Sequence, residues 1–293
     1  MKKKLCAAVL ALSLACPSFH AQNLLNETPE QKDKRMEWFH KAKLGIFIHW
    51  GIYAVKGVSE SWSFYNKYLP HDEYLKQCEG FTASKYDPKA WVELIKESGA
   101  QYTVLTTKHH DGVALWDAKQ NGISVVKNTP AKRDLVTPFV NEVRKAGLRL
   151  GLYYSLPDWS HPDYPNMTRT DVRYKDDPKR WDNFCKFNFG QLAELNNTYK
   201  PDLYWFDGDW EMSAETWRAK EIMQLLRSNN KNVIVNSRIT GYGDYATPEQ
   251  GVPVVRPEDK YWELCMTMND SWGYQHNDKN YKTPHMLLRT FVD

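Results

Sequence analysis

The chain has 293 residues, 42% of them apolar and 14% aromatic, with a formal net charge of +3. That apolar content supports a sizeable core, which argues against disorder and allows one large domain or two small ones. Three of the positive charges are Lys2, Lys3 and Lys4, and without them the remainder is formally neutral, which excludes electrostatic capture of nucleic acid.

Residues 1–21, MKKKLCAAVLALSLACPSFHA, run from a basic start through an apolar stretch to small residues, the pattern of a secretory signal peptide. A periplasmic or secreted location follows. Cys16 after LSLA matches a lipoprotein cleavage site only poorly. No later stretch is apolar for long enough to span a bilayer. Beyond the signal, Cys78, Cys185 and Cys265 are an odd and scattered set, which suits neither a disulfide framework nor a zinc site.

Short apolar runs of the kind found in buried parallel strands appear at 44–51 (LGIFIHWG), 102–109 (YTVLTTKH), 149–156 (RLGLYYSL), 202–207 (DLYWFD), 233–238 (VIVNSR) and 262–268 (WELCMTM). Between them, helical periodicity marks 88–99, 134–147, a long segment within 177–199, and 214–230; Gly99 and Gly147 are the stop signals of the first two. The final HMLLRTFVD also reads as a helix. With no repeat or low-complexity linker, residues 22–293 read as one domain.

Alternating strands and helices imply parallel β-α-β units, either in an open doubly wound sheet or in a (β/α) barrel. The polar residues His49, His109, Tyr153, Ser155, Asp207 and Arg238 all fall at or near the C-terminal ends of their strands. A barrel gathers those ends at one mouth. An open sheet usually carries a glycine-rich phosphate loop after its first strand, and none is present here. The expected fold is therefore an α/β, (β/α)8-like TIM barrel, with only about six of its strands visible.

The stretch PDLYWFDGDW, 201–210, places Leu203, Trp205 and Asp207 on one strand face and Tyr204 and Phe206 on the other. Asp202 begins the strand and Asp209 lies in the loop beyond it, so Asp207 is the acid at the mouth. To stay ionised among rings it needs hydrogen bonds or a cation, and Arg238 can supply one. A fixed carboxylate paired with a second one is the machinery of glycoside hydrolysis. Candidates for the second are Glu60, Glu249, Glu258 and Glu263. Glu249 sits in a loop beyond the fifth strand, where an acid could lean over the mouth. Glu263 begins a strand at the far end, where salt bridging is the expected role. The pair His109 and His110 suggests a metal site, but neighbours on a regular strand point to opposite faces, so hydrogen bonding to a polyhydroxylated ligand is preferred.

Taken together, WFHKAKLGIFIHWG, TTKHHDGVALWDA, GLYYSLPDW, PDLYWFDGDW and WELCMTMNDSWGY closely resemble segments of the α-L-fucosidases of glycoside hydrolase family 29, in order, from about Trp38 to Tyr274. The resemblance implies a retaining exo-hydrolase that releases terminal L-fucose through a covalent glycosyl-enzyme, without metal or organic cofactor. Carried over by motif, Asp207 is the nucleophile and Glu249 the acid/base, with Glu263 as the alternative. His49, His109, His110, Tyr153 (in preference to Tyr154) and Arg238 contact the sugar. Trp62 and Trp272 are ring contacts for its methyl side. The expected partners are fucosylated oligosaccharides or glycoconjugates. Members of the family continue into further barrel strands and commonly a β-sandwich, whereas this chain stops at Asp293, so a C-terminally incomplete catalytic domain is the expectation. An inactive, lectin-like fucose-binding barrel is the alternative to an enzyme, and a barrel metallohydrolase using the HHD cluster is a third reading.

Overall fold

The computed structural model describes residues 27–255 and 257–292; the signal-peptide segment lies outside the described residues. Helix α1, Pro29–Ala42, opens the fold. Its start is a capping box in which Thr28 accepts from Gln31 N–H while the Gln31 side chain accepts from Thr28 N–H, with Pro29 in the first turn. Five strands follow: β1 Gly45–Ile48, β2 Tyr102–Lys108, β3 Arg149–Ser155, β4 Leu203–Asp207 and β5 Ile234–Val235. They pair in chain order, every neighbour parallel. The crossover helices are α2 Pro88–Glu97, α3 Val136–Lys145, α4 Pro178–Tyr199 and α5 Ala219–Asn229, and α6 Pro284–Val292 ends the described chain. Asp87 and Asp177 cap α2 and α4, each followed by a proline.

The alternation of side chains across the strands builds two cores. Leu105, Leu150, Leu152, Tyr154, Tyr204, Phe206 and Val235 face one side, and the buried faces of all four crossover helices pack there, including Ile95, Phe139, Leu195 and Leu226. Val104, Tyr153, Leu203, Trp205 and Ile234 face the other side, which is covered by Met36, Phe39 and Ala42 of α1 and by Tyr245, Tyr261 and Cys265. Crossover helices on a single face distinguish this sheet from a doubly wound one, which carries them on both.

Arg35 of α1 and Arg227 of α5 both donate to the buried carboxylate of Asp244, which also accepts from Val235 N–H. This knot ties α1 to β5, the last strand of the sheet.

The sequence expectation of six strands is corrected to five among the described residues. The segment after β5 turns back, so that Asn236 bridges to Tyr245, and the edge is thereby occupied. Residues 262–268 meet this returning segment through isolated bridges, Ala246 to Trp262 and Glu249 to Cys265, and do not form a strand of the sheet. Helix α5 begins later than its periodicity suggests because Arg218 takes a left-handed conformation. Cys78, Cys185 and Cys265 are buried thiols without a disulfide.

Candidate active site

Asp207 is the last residue of β4 and is 8% exposed. Its Oδ1 accepts from Arg238 Nη1 at 2.6 Å and its Oδ2 accepts from the Tyr153 hydroxyl at 2.9 Å. Nε2 of His110 stands 3.4 Å from Oδ2. Burial alone would raise the Asp207 pKa, but His110 and then Arg238 outweigh it and hold the carboxyl well below the usual carboxylate range. Asp207 is thus ionised at neutral pH.

The chain turns sharply just beyond. Gly208 has φ of 84°, and a Cβ there would stand 2.3 Å from Pro157 Cδ. Only glycine satisfies both the left-handed backbone and the close approach.

Arg238 also reaches Glu249 through Nη2, so one guanidinium spans the two carboxylates, while its plane lies over the Trp205 ring at 4.6 Å. Glu249 keeps about a third of its side chain exposed. Its pKa is raised, first by burial and also by the charge of Asp207, against the opposing pull of Arg238. The two acids are therefore pushed apart, one held ionised and the other biased towards the protonated form, which is the division of labour that acid catalysis with a carboxylate partner requires.

Three histidines ring the mouth. His49 follows β1, and the turn that carries it is pinned by Thr106, whose hydroxyl donates to Trp50 O at 2.5 Å and accepts from Trp50 N–H at 2.8 Å. His49 Nδ1 shares a hydrogen bond with the Tyr53 hydroxyl at 2.8 Å. His109 Nδ1 bonds the buried Ser61 hydroxyl at 2.5 Å, and His110 Nδ1 bonds the Ser155 hydroxyl at 2.6 Å. Burial lowers the His49 pKa to about 3 and pushes His109 well below the ordinary range, so both rings are neutral near pH 7.

The expected divergence of His109 and His110 does not occur. The register of β2 against β3 slips between Thr106 and Lys108, and the two rings follow the strand in a turn with centroids 4.4 Å apart. Among the described residues, no group of three or more His, Cys, Asp or Glu side chains is placed to hold a metal ion.

An apolar floor underlies Asp207. The rings of Phe47, Tyr153 and Trp205 lie within 5.9 Å of one another, centroid to centroid. Sequence reasoning named Tyr153 for its hydroxyl and missed Phe47 and Trp205 as partners in a ring cluster, although both have the two-residue spacing from His49 and Asp207 that puts them on the same strand face. Tyr154 points to the opposite face, where its hydroxyl donates to Asn188 and accepts from Lys108. Trp62 is half-buried with its ring edge-on to His110 and Trp159, at 5.6 and 5.1 Å. Trp272 packs against the inner core.

The other candidate acids separate clearly. Glu258 is exposed on the loop that follows Glu249. Among the described residues Glu263 makes no ion pair; its carboxylate accepts from Tyr102 and Trp205, at 2.5 and 2.9 Å. The expected salt bridge is replaced by neutral donors: Tyr102 and Trp205 hold the carboxylate, while the nearby Arg238 guanidinium is engaged by Asp207 and Glu249. Glu60 is 2% exposed, and its Oε1 accepts from Gly273 N–H at 2.5 Å. Burial drives its pKa up to about 7. Asp202 is a structural acid that joins Arg144 and Arg149 and accepts from Leu150 N–H.

These features meet a consistent set of relatives. The α-L-fucosidase family model matches residues 12–293. Tissue α-L-fucosidase of Bos taurus is 32% identical over 266 residues, which cover 82% of this chain and 55% of the relative. That of Mus musculus is 34% identical over 269 residues, covering 81% and 57%. The chain thus spans little more than half the length of these curated relatives. Among solved structures, α-L-fucosidase isoenzyme 1 from Paenibacillus thiaminolyticus superposes with a TM-score of 0.83 at 37% identity, covering 89% of this chain and 67% of that one. α-L-Fucosidase AlfC from Lactobacillus casei, in complex with α-L-fucose product, gives a TM-score of 0.77 at 31% identity, covering 88% and 87%. By the extent of the family match and the identity to these relatives, the chain belongs to the α-L-fucosidase family.

Proposed function

We propose that this chain carries the catalytic machinery of a retaining exo-α-L-fucosidase, built on a (β/α) barrel of which the five-stranded sheet is the major part. Asp207 attacks the anomeric carbon of a terminal L-fucose and Glu249 protonates the leaving oxygen, then activates water to release the sugar from Asp207. The observation that carries this reading is the single guanidinium of Arg238 spanning both carboxylates. That span is compatible with the separation of about 5–5.5 Å used by retaining enzymes. Neutral His49 and His109 suit uncharged hydroxyls, and the floor of Phe47, Tyr153 and Trp205 suits the sugar's methyl group. The substrates are fucosylated oligosaccharides or glycoconjugates, met outside the cytoplasm after removal of residues 1–21; N-terminal sequencing of the exported protein checks the cleavage.

The deciding experiment is Asp207→Ala assayed on an aryl α-L-fucoside, where hydrolysis should nearly vanish and azide should restore turnover with formation of a fucosyl azide. Unchanged rates would rule out Asp207 as nucleophile. Saturable fucose binding without turnover in the parent chain would instead favour a binding protein. Glu249→Ala should slow natural disaccharides far more than activated aryl substrates, because an aryl leaving group departs with little protonation. If Glu263→Ala shows that signature, the acid has been misassigned.

A further inference from the structure

Trp210 stands apart from the other tryptophans. All twelve lie within the described residues, and Trp210 is the one that is exposed, at 55%. It sits in a single helical turn, Asp209–Glu211, immediately after Asp207 and Gly208.

Both of its neighbours are firmly held. The Asp209 carboxylate accepts from the Thr240 hydroxyl at 2.8 Å, and its carbonyl accepts from Trp217 Nε1 at 2.9 Å. The Glu211 carboxylate accepts from Trp159 Nε1, the Tyr164 hydroxyl and Asn166 Nδ2. A large apolar ring is therefore presented to water from an anchored backbone.

The ring's position is specific. It lies nearly parallel to Trp62, 15° between planes and 6.4 Å between centroids, and edge-on to His110 at 6.0 Å. His110 in turn faces Asp207. One imidazole thus separates the exposed indole from the nucleophile, and the indole lies at the rim, where the group attached to a bound terminal sugar would emerge.

We infer that Trp210 is a stacking platform for the pyranose on the leaving-group side of the scissile bond, and so a determinant of which fucosylated glycans are accepted. The inference rests on the α-L-fucosidase reading. A flat indole pairs with the C–H face of a pyranose, and a preorganised ring gives up little entropy on binding.

The test is calorimetry on the full chain carrying Asp207→Ala, with free L-fucose and a panel of fucosylated N-acetylglucosamine disaccharides as probes. The preferred disaccharide should bind more tightly than fucose. Adding Trp210→Ala should weaken disaccharide binding by about tenfold, the scale expected for loss of a central aromatic contact, and leave fucose affinity unchanged. Trp210→Phe should keep most of the affinity. Equal losses for fucose and disaccharide, no loss for either, or equal affinity of both sugars for the Asp207→Ala chain would each overturn the platform. Failure of both the parent and the Asp207→Ala chain to bind any of these sugars would overturn the underlying reading, and the platform with it.

Discussion

His110 Nδ1 lies 2.6 Å from Oγ of Ser155, and that same hydroxyl donates to the Pro157 carbonyl at 2.6 Å. A serine has one hydrogen to give, so Ser155 must accept from His110 Nδ1–H. This turns the other ring nitrogen, Nε2, toward the Asp207 carboxylate at 3.4 Å. Ser155→Ala removes this lock on the ring and strands a buried donor, at a cost of about 1–3 kcal/mol. Expressed in the transition state, that predicts a fall in kcat/KM on an aryl α-L-fucoside of roughly tenfold or more. Steady-state kinetics with intact thermal unfolding would check it, and wild-type rates would show that the ring needs no such lock.

Arg238 lowers the pKa of both Asp207 and Glu249. In Arg238→Met the nucleophile loses a cation that favours its ionised form, so the acid limb of the kcat/KM profile moves to higher pH. Glu249 loses a cation too, and the alkaline limb moves the same way. The expected result is a bell displaced upward as a whole, with rates reduced about 10- to 100-fold by the lost charged hydrogen bonds. A profile between pH 3 and 9 that keeps its limbs in place would contradict the proposed roles.

Glu60 offers a stability prediction. Burial raises its carboxyl from the ordinary 4.5 up to about 7 in the folded chain. A folded-state pKa above the unfolded one stabilises fully below about 4.5, and that contribution is lost as pH rises through about 7. Integrated over the shift, the loss is about 3 kcal/mol. Glu60→Gln keeps an acceptor for Gly273 N–H and cannot ionise. Urea titrations should show the parent less stable at pH 8 than at pH 5, and most of that difference absent from the variant. The same pH dependence in both proteins would show that the Glu60 carboxyl does not carry it.

Gly208→Ala combines a positive φ with a Cβ 2.3 Å from the Pro157 ring. Relief requires the turn after Asp207 to move, so destabilisation of about 1–3 kcal/mol and near-complete loss of activity are expected. Urea unfolding and aryl-fucoside assays measure the two effects separately. A stable, fully active variant would mean that this turn tolerates a shift.

The legible part of this protein was whatever local periodicity encodes. Apolar runs located all five strands, and alternation within PDLYWFDGDW correctly put Asp207 on the face of Leu203 and Trp205. The same rule failed at His109 and His110, because the slip in register beside Thr106 depends on the neighbouring strand and leaves no local trace. Likewise Ser61 and Ser155 reach their histidines across 48 and 45 residues. WELCMTM has strand composition, yet the returning segment at Tyr245 occupies the edge it would have joined. Asp209, whose role the sequence left open, is a tie between the loops after β4 and β5 through Thr240.

The Arg35 to Asp244 pair joins residues 209 positions apart. At a synthesis rate of about 5–20 residues per second, roughly 10 to 40 seconds pass between the two leaving the ribosome. Through that interval α1 has its Met36 and Phe39 face but neither its charged anchor nor the sheet surface completed by Ile234 and Tyr245. Helix α1 thus gains its charged anchor only after β5 has emerged. A nascent chain would expose a greasy helix next to unpaired strand edges, and its yield should respond to chaperone supply more than its final stability would suggest.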